Sequence, residues 1–239
     1  MGRRLNVGYT ARKLSSIIGI LPGANSVHPR LYLVTPPAFD LDQFEEQLKQ
    51  ALEGGDVASL LITMPDANEV ELQAAAKRLV PVAQAHDVAV MVENNTQIVG
   101  RSGADGLHVT GSDTDLENIT ESFQDDKIVG HAGIKTRHEA MTVATMGVDY
   151  MFFGFLALEQ EEEPHRKSLD FGIWWSEVFE TPCVVLAGTA LSSVDTAAKT
   201  GAEFVAVREA VWNHPEGPKA AVEQANAILS THTLSESEG

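Results

Sequence analysis

Cysteine is nearly absent: Cys183 is the only one in 239 residues. A single thiol allows neither a disulfide framework nor a cysteine-based metal site, and it suits a reducing compartment, the cytoplasm. Basic residues are also scarce, with 17 Lys and Arg against 34 Asp and Glu, a net charge of −17. This balance argues against nucleic acid and anionic membrane surfaces as partners. A phosphorylated small molecule is compatible with it only in a local pocket of backbone N–H groups and a few bases. No stretch reaches the ~18 apolar residues of a membrane span. The start, with Arg3 and Arg4 ahead of Ser16-Ile17-Ile18-Gly19-Ile20-Leu21, has the outline of a signal peptide, but its apolar run is too short. Residues 1–29 read as a poorly ordered leader, 30–230 as one domain and 231–239 as a flexible tail. Nothing in the sequence sets the oligomeric state, and a homo-oligomer stays open.

What the chain does contain is one phrase used four times. Gly147-Val148-Asp149 leads into the apolar run Tyr150-Met151-Phe152-Phe153. The same order of glycine, acid and apolar run recurs from Gly54, Gly103 and Gly201, so the glycines at 54, 103, 147 and 201 stand 49, 44 and 54 residues apart. A glycine in the left-handed region stops a helix, and a short apolar run after it reads as a strand buried on both faces. Each gap holds two strand–helix units, which predicts about eight units and a (β/α)₈ barrel. A doubly wound open sheet is the alternative, weakened because no glycine-rich dinucleotide fingerprint follows the first strand.

Strands are expected at 31–35, 57–62, 88–92, 105–109, 127–131, 149–153, 182–187 and 204–207. Between them, Asp40, Asn68 or Asp66, and Thr136 are placed to cap helices, with Glu139 as the capping-box partner of Thr136. Pro81 is expected to bend its helix. The run Glu159-Gln160-Glu161-Glu162-Glu163-Pro164-His165-Arg166-Lys167 reads as a solvated, mobile loop, with the sixth helix beginning at Phe171.

In such a barrel the chemistry sits at the C-terminal ends of the strands. The residues there include Glu93, Asn94, His108, Asp113, His131, Lys135, Gly188, Thr189 and Arg208. Loops after strands seven and eight commonly hold phosphate, so Gly188 and Thr189 at a helix start, with the Arg208 fork, form a candidate phosphate site. The plainer reading pairs Arg208 with Glu209. His108 is placed to act as a general base, although a histidine at a strand end is more often a hydrogen-bonded structural residue, and His131 has the same two readings. Asp113 and Glu93 can offer oxygen ligands to Mg²⁺, but their spacing matches no ligand pattern and solvated loop acids look the same. Trp174, Trp175 and Trp212 read as packing or rim residues.

Leu31-Tyr32-Leu33-Val34-Thr35, Ala104-Asp105-Gly106-Leu107-His108, Gly147-Val148-Asp149-Tyr150, the stretch from Pro182 to Gly188, and Phe204-Val205-Ala206-Val207 follow one another in an informative order. Over about residues 31–212 the chain resembles the thiamine phosphate synthases and their thiazole-tautomerase relatives. The resemblance implies a (β/α)₈ barrel of thiamine biosynthesis. In the synthase, such a barrel joins a pyrimidine pyrophosphate to a thiazole phosphate with Mg²⁺. Carried over, it implies phosphate contacts at Gly188, Thr189, Arg208 and Asn94. It also implies Mg²⁺ ligands at Asp113 and at Glu93, which stands in for a lost Asp. Lys135 and His108 are catalytic candidates from their places at the strand ends, not from the resemblance.

The chain departs from that pattern in several places. The synthase's Gln-Leu-Arg-x-Lys stretch aligns with Leu60-Leu61-Ile62-Thr63-Met64, which puts Ile62 and Met64 in place of Arg and Lys. The Asn-Asp after strand three is Glu93-Asn94, the Ser after strand five falls at Ala132 or Gly133, and the tautomerase His falls on Ile134 or Lys135. The Thr-x-Thr-Lys loop after strand six is the acidic 159–163 run, and the Gly-Gly after strand seven is Ala187-Gly188. Losing two charge-assisted grips of roughly 1.5–3 kcal/mol each lowers pyrophosphate affinity by on the order of 10²–10⁴. Three readings follow: a family enzyme with a weakened pyrophosphate grip, a non-catalytic phosphate-binding barrel with a regulatory or scaffold role, and a barrel isomerase or lyase using Lys135 as amine or base.

Overall fold

The computed structural model describes residues 28–111, 116–123 and 127–233. The expected leader and tail fall mostly outside the described residues. Eight strands run in parallel: β1 Arg30–Val34, β2 Ser59–Ile62, β3 Ala89–Glu93, β4 Gly106–Thr110, β5 Ile128–Ala132, β6 Tyr150–Phe153, β7 Cys183–Leu186 and β8 Phe204–Val207. They pair in chain order into a closed barrel. Leu33 of β1 lies opposite Leu60 on one side and Val207 on the other, so β1 joins β2 to β8. That closure leaves no edge and excludes the doubly wound sheet.

The helices are α1 Leu41–Leu52, α2 Glu69–Gln84, α3 Thr96–Ser102, α4 Leu116–Phe123, α5 Arg137–Thr145, α6 Arg166–Val178, α7 Ser193–Ala198, α8 Glu209–Trp212 and α9 Gly217–Leu229. The expected caps form: Asp40 accepts the Gln43 N–H, and Asn68 closes a capping box with Glu71. Thr136 accepts the Glu139 N–H, but the Glu139 carboxylate takes the Lys135 N–H, one residue ahead of the cap. α2 continues through Pro81 to Gln84. α6 begins at Arg166, earlier than expected, because the His165 ring nitrogen caps it by accepting the Lys167 N–H. The short α8 was not expected. It carries Trp212, whose indole N–H donates to the Val34 carbonyl at 2.6 Å and whose ring packs edge-on against Phe44.

Strand alternation divides the core in two. Leu33, Leu60, Val90, Val129, Met151, Val185 and Val205 face the helices. Tyr32, Leu61, Met91, Tyr150, Phe152, Val184, Leu186 and Ala206 fill the barrel. The Tyr150 ring lies across Gly130, where a Cβ would come within 2.0 Å of the ring, so any side chain at 130 evicts the tyrosine. Its hydroxyl pairs with Tyr32 Oη at 2.9 Å and with His108 Nδ1 at 2.8 Å.

The acid of the repeated phrase has a defined task. Asp105 accepts the Val90 N–H at 2.8 Å, Asp149 the Val129 N–H at 2.7 Å, and Glu203 the Cys183 N–H at 2.8 Å. Each acid precedes an even-numbered strand and holds a backbone donor at the start of the odd-numbered strand before it. Those N–H groups lie at the N-terminal end of the barrel, where a free donor would otherwise be stranded beside the sheet. Asp56 breaks the pattern and grips the Arg30 guanidinium with both oxygens at 2.7 Å.

Candidate functional site

Two residues beyond Leu61 and Met91, the pleat turns Thr63 and Glu93 inward at the C-terminal mouth. Thr110 follows His108 in the same way. The Glu93 carboxylate accepts from the Thr63 hydroxyl on one oxygen and from the Thr110 hydroxyl, at 2.8 Å, on the other. Thr63 is held in turn by Thr35, which accepts its N–H and donates to its carbonyl. β2, β3 and β4 thus present one fixed carboxylate to the mouth.

Arg208 enters from β8 on the opposite side and is only 5% exposed. Its Nε donates to Glu209 Oε1 at 2.6 Å and its Nη1 to the Leu156 carbonyl at 2.9 Å. The Glu209 pairing foreseen as the plainer reading is therefore present. Leu156 itself packs on the inner cluster and stoppers the barrel.

The Gly188–Thr189 turn departs from expectation. Its donors were expected to be free, and in the structure the protein uses all of them. The Gly188 N–H goes to Ser193 Oγ at 2.9 Å, Thr189 N–H to the Glu161 carbonyl at 2.8 Å, and Ala190 N–H to the Glu162 carbonyl at 3.2 Å. The acidic run is thus no free loop. The side chains of Glu159, Glu161, Glu162 and Glu163 stay exposed to water while the backbone docks, because N–H groups in a buried turn need acceptors. A Cβ at Gly188 would lie 2.1 Å from the Glu162 oxygen, so glycine is what admits the segment.

The other candidates disperse. His108 is 0% exposed inside the barrel; burial, then the neighbouring His131, lowers its pKa to about 3, and Nε2 has no partner. It stays neutral at ordinary pH and serves the tyrosine pair. His131 lies on the outer face beside Gly111, its pKa lowered by burial. Asn94, in the left-handed region at φ 49°, accepts the Thr110 N–H and donates to its carbonyl, clamping β3 to β4. Lys135 is exposed on the turn before α5. Asp113 lies outside the described residues. Among the described residues no group of three or more His, Cys, Asp or Glu is placed to hold a metal ion. Glu93 does suit a hard cation, as an oriented oxygen donor with lone pairs to spare, and Mg²⁺ commonly needs only one or two carboxylates beside substrate phosphates. No helix among the described residues is long and apolar enough to cross a membrane.

Comparison with known proteins places this mouth in context. The family model described as thiamine monophosphate synthase matches residues 31–211. The chain belongs to the thiamine monophosphate synthase family. It is 38% identical over 201 residues to the thiamine-phosphate synthase of Rhodospirillum centenum, covering 84% of this chain and 97% of that protein. The corresponding protein of Hyphomonas neptunium is 32% identical over 208 residues, covering 84% and 94%. Among solved structures, the thiamine phosphate pyrophosphorylase of Pyrococcus furiosus superposes with a TM-score of 0.71 at 23% identity, over 84% of this chain and 96% of that one. This is a thiamine-phosphate-synthase-like protein of thiamine biosynthesis with the barrel expected of it.

Set against the family's pattern, the register at β2 needs correcting. Ile62 faces the helices, so it cannot occupy a position that reaches into the mouth; the inward residues are Leu61 and Thr63. A one-residue slip exchanges the two faces of a strand. On either register no cation stands at the end of β2. Sequence reasoning also missed Leu156 and the docking of 161 and 162. The acid clamps had a signal, the repeated glycine-acid phrase, whose chemistry became evident only with the strand pairing.

Proposed function

We propose that the chain binds a thiazole phosphate at the mouth of the barrel and couples it to, or processes it with, a pyrimidine pyrophosphate. The phosphate would take the Arg208 guanidinium and the N–H groups of Thr189 and Ala190, which residues 155–163 free as they withdraw, and the Gly188 N–H would join them on leaving Ser193 Oγ. What supports this most is Arg208: an inward, nearly dehydrated guanidinium whose Nη1 partner is a loop carbonyl, which a phosphate oxygen can replace at a gain in charge assistance. Glu93, with Asp113 carried over from the family, would hold Mg²⁺, which when bound neutralises pyrophosphate charge. Asn94, Lys135 and His108 lie further from this reading, since the first is committed to Thr110, the second is exposed and the third is enclosed.

The absence of an inward cation at β2 favours a second reading, a barrel that binds the thiazole phosphate without turning it over. One experiment separates the two. Purified protein at high concentration is incubated with thiazole phosphate, pyrimidine pyrophosphate and Mg²⁺, and thiamine phosphate is quantified. Product that disappears in Arg208→Ala supports coupling. A thermal shift with thiazole phosphate and no product supports the binding barrel. Neither product nor shift removes both.

A further inference from the structure

The carboxylate at the mouth is held more firmly than a rim acid needs. Glu93 lies opposite His108 in the β3–β4 register, which sets Thr110 two residues further along β4 and on the same side. The Thr110 hydroxyl reaches Glu93 Oε1 at 2.8 Å, and the Thr63 hydroxyl holds Oε2 from the end of β2. A carboxylate only accepts, so both hydroxyls must be the donors. Thr63 is 4% exposed and Thr35 0%. Thr35 accepts the Thr63 N–H at 3.0 Å and donates to its carbonyl at 2.9 Å, so the donor to Oε2 is itself fixed from β1. Asn94 ties the Thr110 backbone to β3 in the same fashion. Threonine suits these places, because its branched Cβ leaves χ1 few choices.

The Glu93 side chain has therefore given up its rotamers on folding, and a ligand meets it already aimed. The hydroxyl protons of Thr35, Thr63 and Thr110 are all spent inside the protein, and no Lys or Arg stands at the end of β2. What these strand ends turn toward the mouth is the remaining lone pairs of the carboxylate. Such a wall draws a cation and repels an unshielded anion.

We propose that Thr63 and Thr110 are positioning residues that act through Glu93. The wall they build seats a divalent cation and takes a pyrophosphate only across that cation. This rests on the reading that gives Glu93 the Mg²⁺; the hydroxyl pair and the metal requirement go beyond it.

The test uses the whole chain, with Mn²⁺ as the probe, its free fraction read by electron paramagnetic resonance. The site that counts is the one lost in Glu93→Gln, which sets the acidic surface aside. Thr63→Val and Thr110→Val keep the shape and remove the donor, and each should weaken Mn²⁺ about tenfold, the loss of one hydrogen bond. Thr63→Ser and Thr110→Ser should bind close to the parent. In a Glu93→Gln background neither valine should cost anything more, as a double-mutant cycle requires of groups that act through one another. Melting curves report whether each variant is folded. Inorganic pyrophosphate, titrated calorimetrically, should bind with Mg²⁺ present and not in a chelator. Parental Mn²⁺ affinity in both valine variants would overturn the proposal, and so would equal losses with and without the Glu93 carboxylate. Metal-free pyrophosphate binding that survives Arg208→Ala would overturn it as well. Thiamine phosphate formation judges the parent reading separately: undiminished product in Glu93→Gln removes the Mg²⁺ role and this proposal with it. Product lost in Glu93→Gln but Mn²⁺ affinity indifferent to both valines removes this proposal alone.

Discussion

Gly188→Ala is a steric probe of the docked segment. Gly188 is not among the glycines with positive φ, so its backbone accepts alanine without strain. The new methyl would instead meet the Glu162 oxygen at 2.1 Å, its carbonyl carbon at 2.5 Å and the Glu161 oxygen at 2.7 Å. All three are backbone atoms and cannot rotate aside, so the segment must lift. Lifting breaks the hydrogen bonds from Thr189 and Ala190 to Glu161 and Glu162. At about 0.5–1.5 kcal/mol net for each bond, local stability falls by about 1–3 kcal/mol. Protection of the two amides should then drop by roughly 5- to 150-fold, while the barrel amides keep theirs. Hydrogen exchange followed residue by residue tests this directly, and limited proteolysis between 155 and 165 should speed up in parallel. A folded variant with parental protection at Thr189 and Ala190 would refute the reasoning, because it would mean that the contact does not hold the segment.

Arg208→Ala should weaken thiazole phosphate by roughly 1.5–3 kcal/mol. It should also lower the melting temperature, since Glu209 loses its partner and Leu156 its anchor; titration with unchanged affinity rejects the phosphate role. His108, lowered to about 3 by burial, is neutral when folded and protonates on unfolding, so its contribution is fully present above pH ~6.5 and is lost as pH falls toward 3. At pH 5 the loss is about 2 kcal/mol from this residue, and urea unfolding of His108→Gln should show a correspondingly flatter acid limb. Glu203, raised by burial, titrates with the opposite sign, so the variant, not the raw slope, is the measurement. Asp149→Ala removes the acceptor of the Val129 N–H and should destabilise by about 1–3 kcal/mol in equilibrium unfolding, with no change in thiazole phosphate affinity.

Local pattern alone determined the architecture. Buried strands, helix caps at Asp40, Asn68 and Thr136, and glycines that stop helices are written in neighbouring residues, because dihedral preference and hydrophobic period act over a few positions. Eight such units in alternation have one compact solution, and the family likeness agreed with it. The direction of each strand-end side chain was left to the tertiary structure. Ile62 and Thr63 are neighbours in the sequence, yet one packs on helices and the other holds Glu93, since the pleat reverses at every residue. His108 is enclosed and Lys135 exposed although both sit near a strand end. Residues 161 and 162 are the sharpest case. Their side chains read as a solvated acidic run and are indeed exposed, but they dock through carbonyls, which every residue carries. A contact made by the backbone leaves no mark in side-chain identity, so only the folded barrel could bring that segment to the turn after β7.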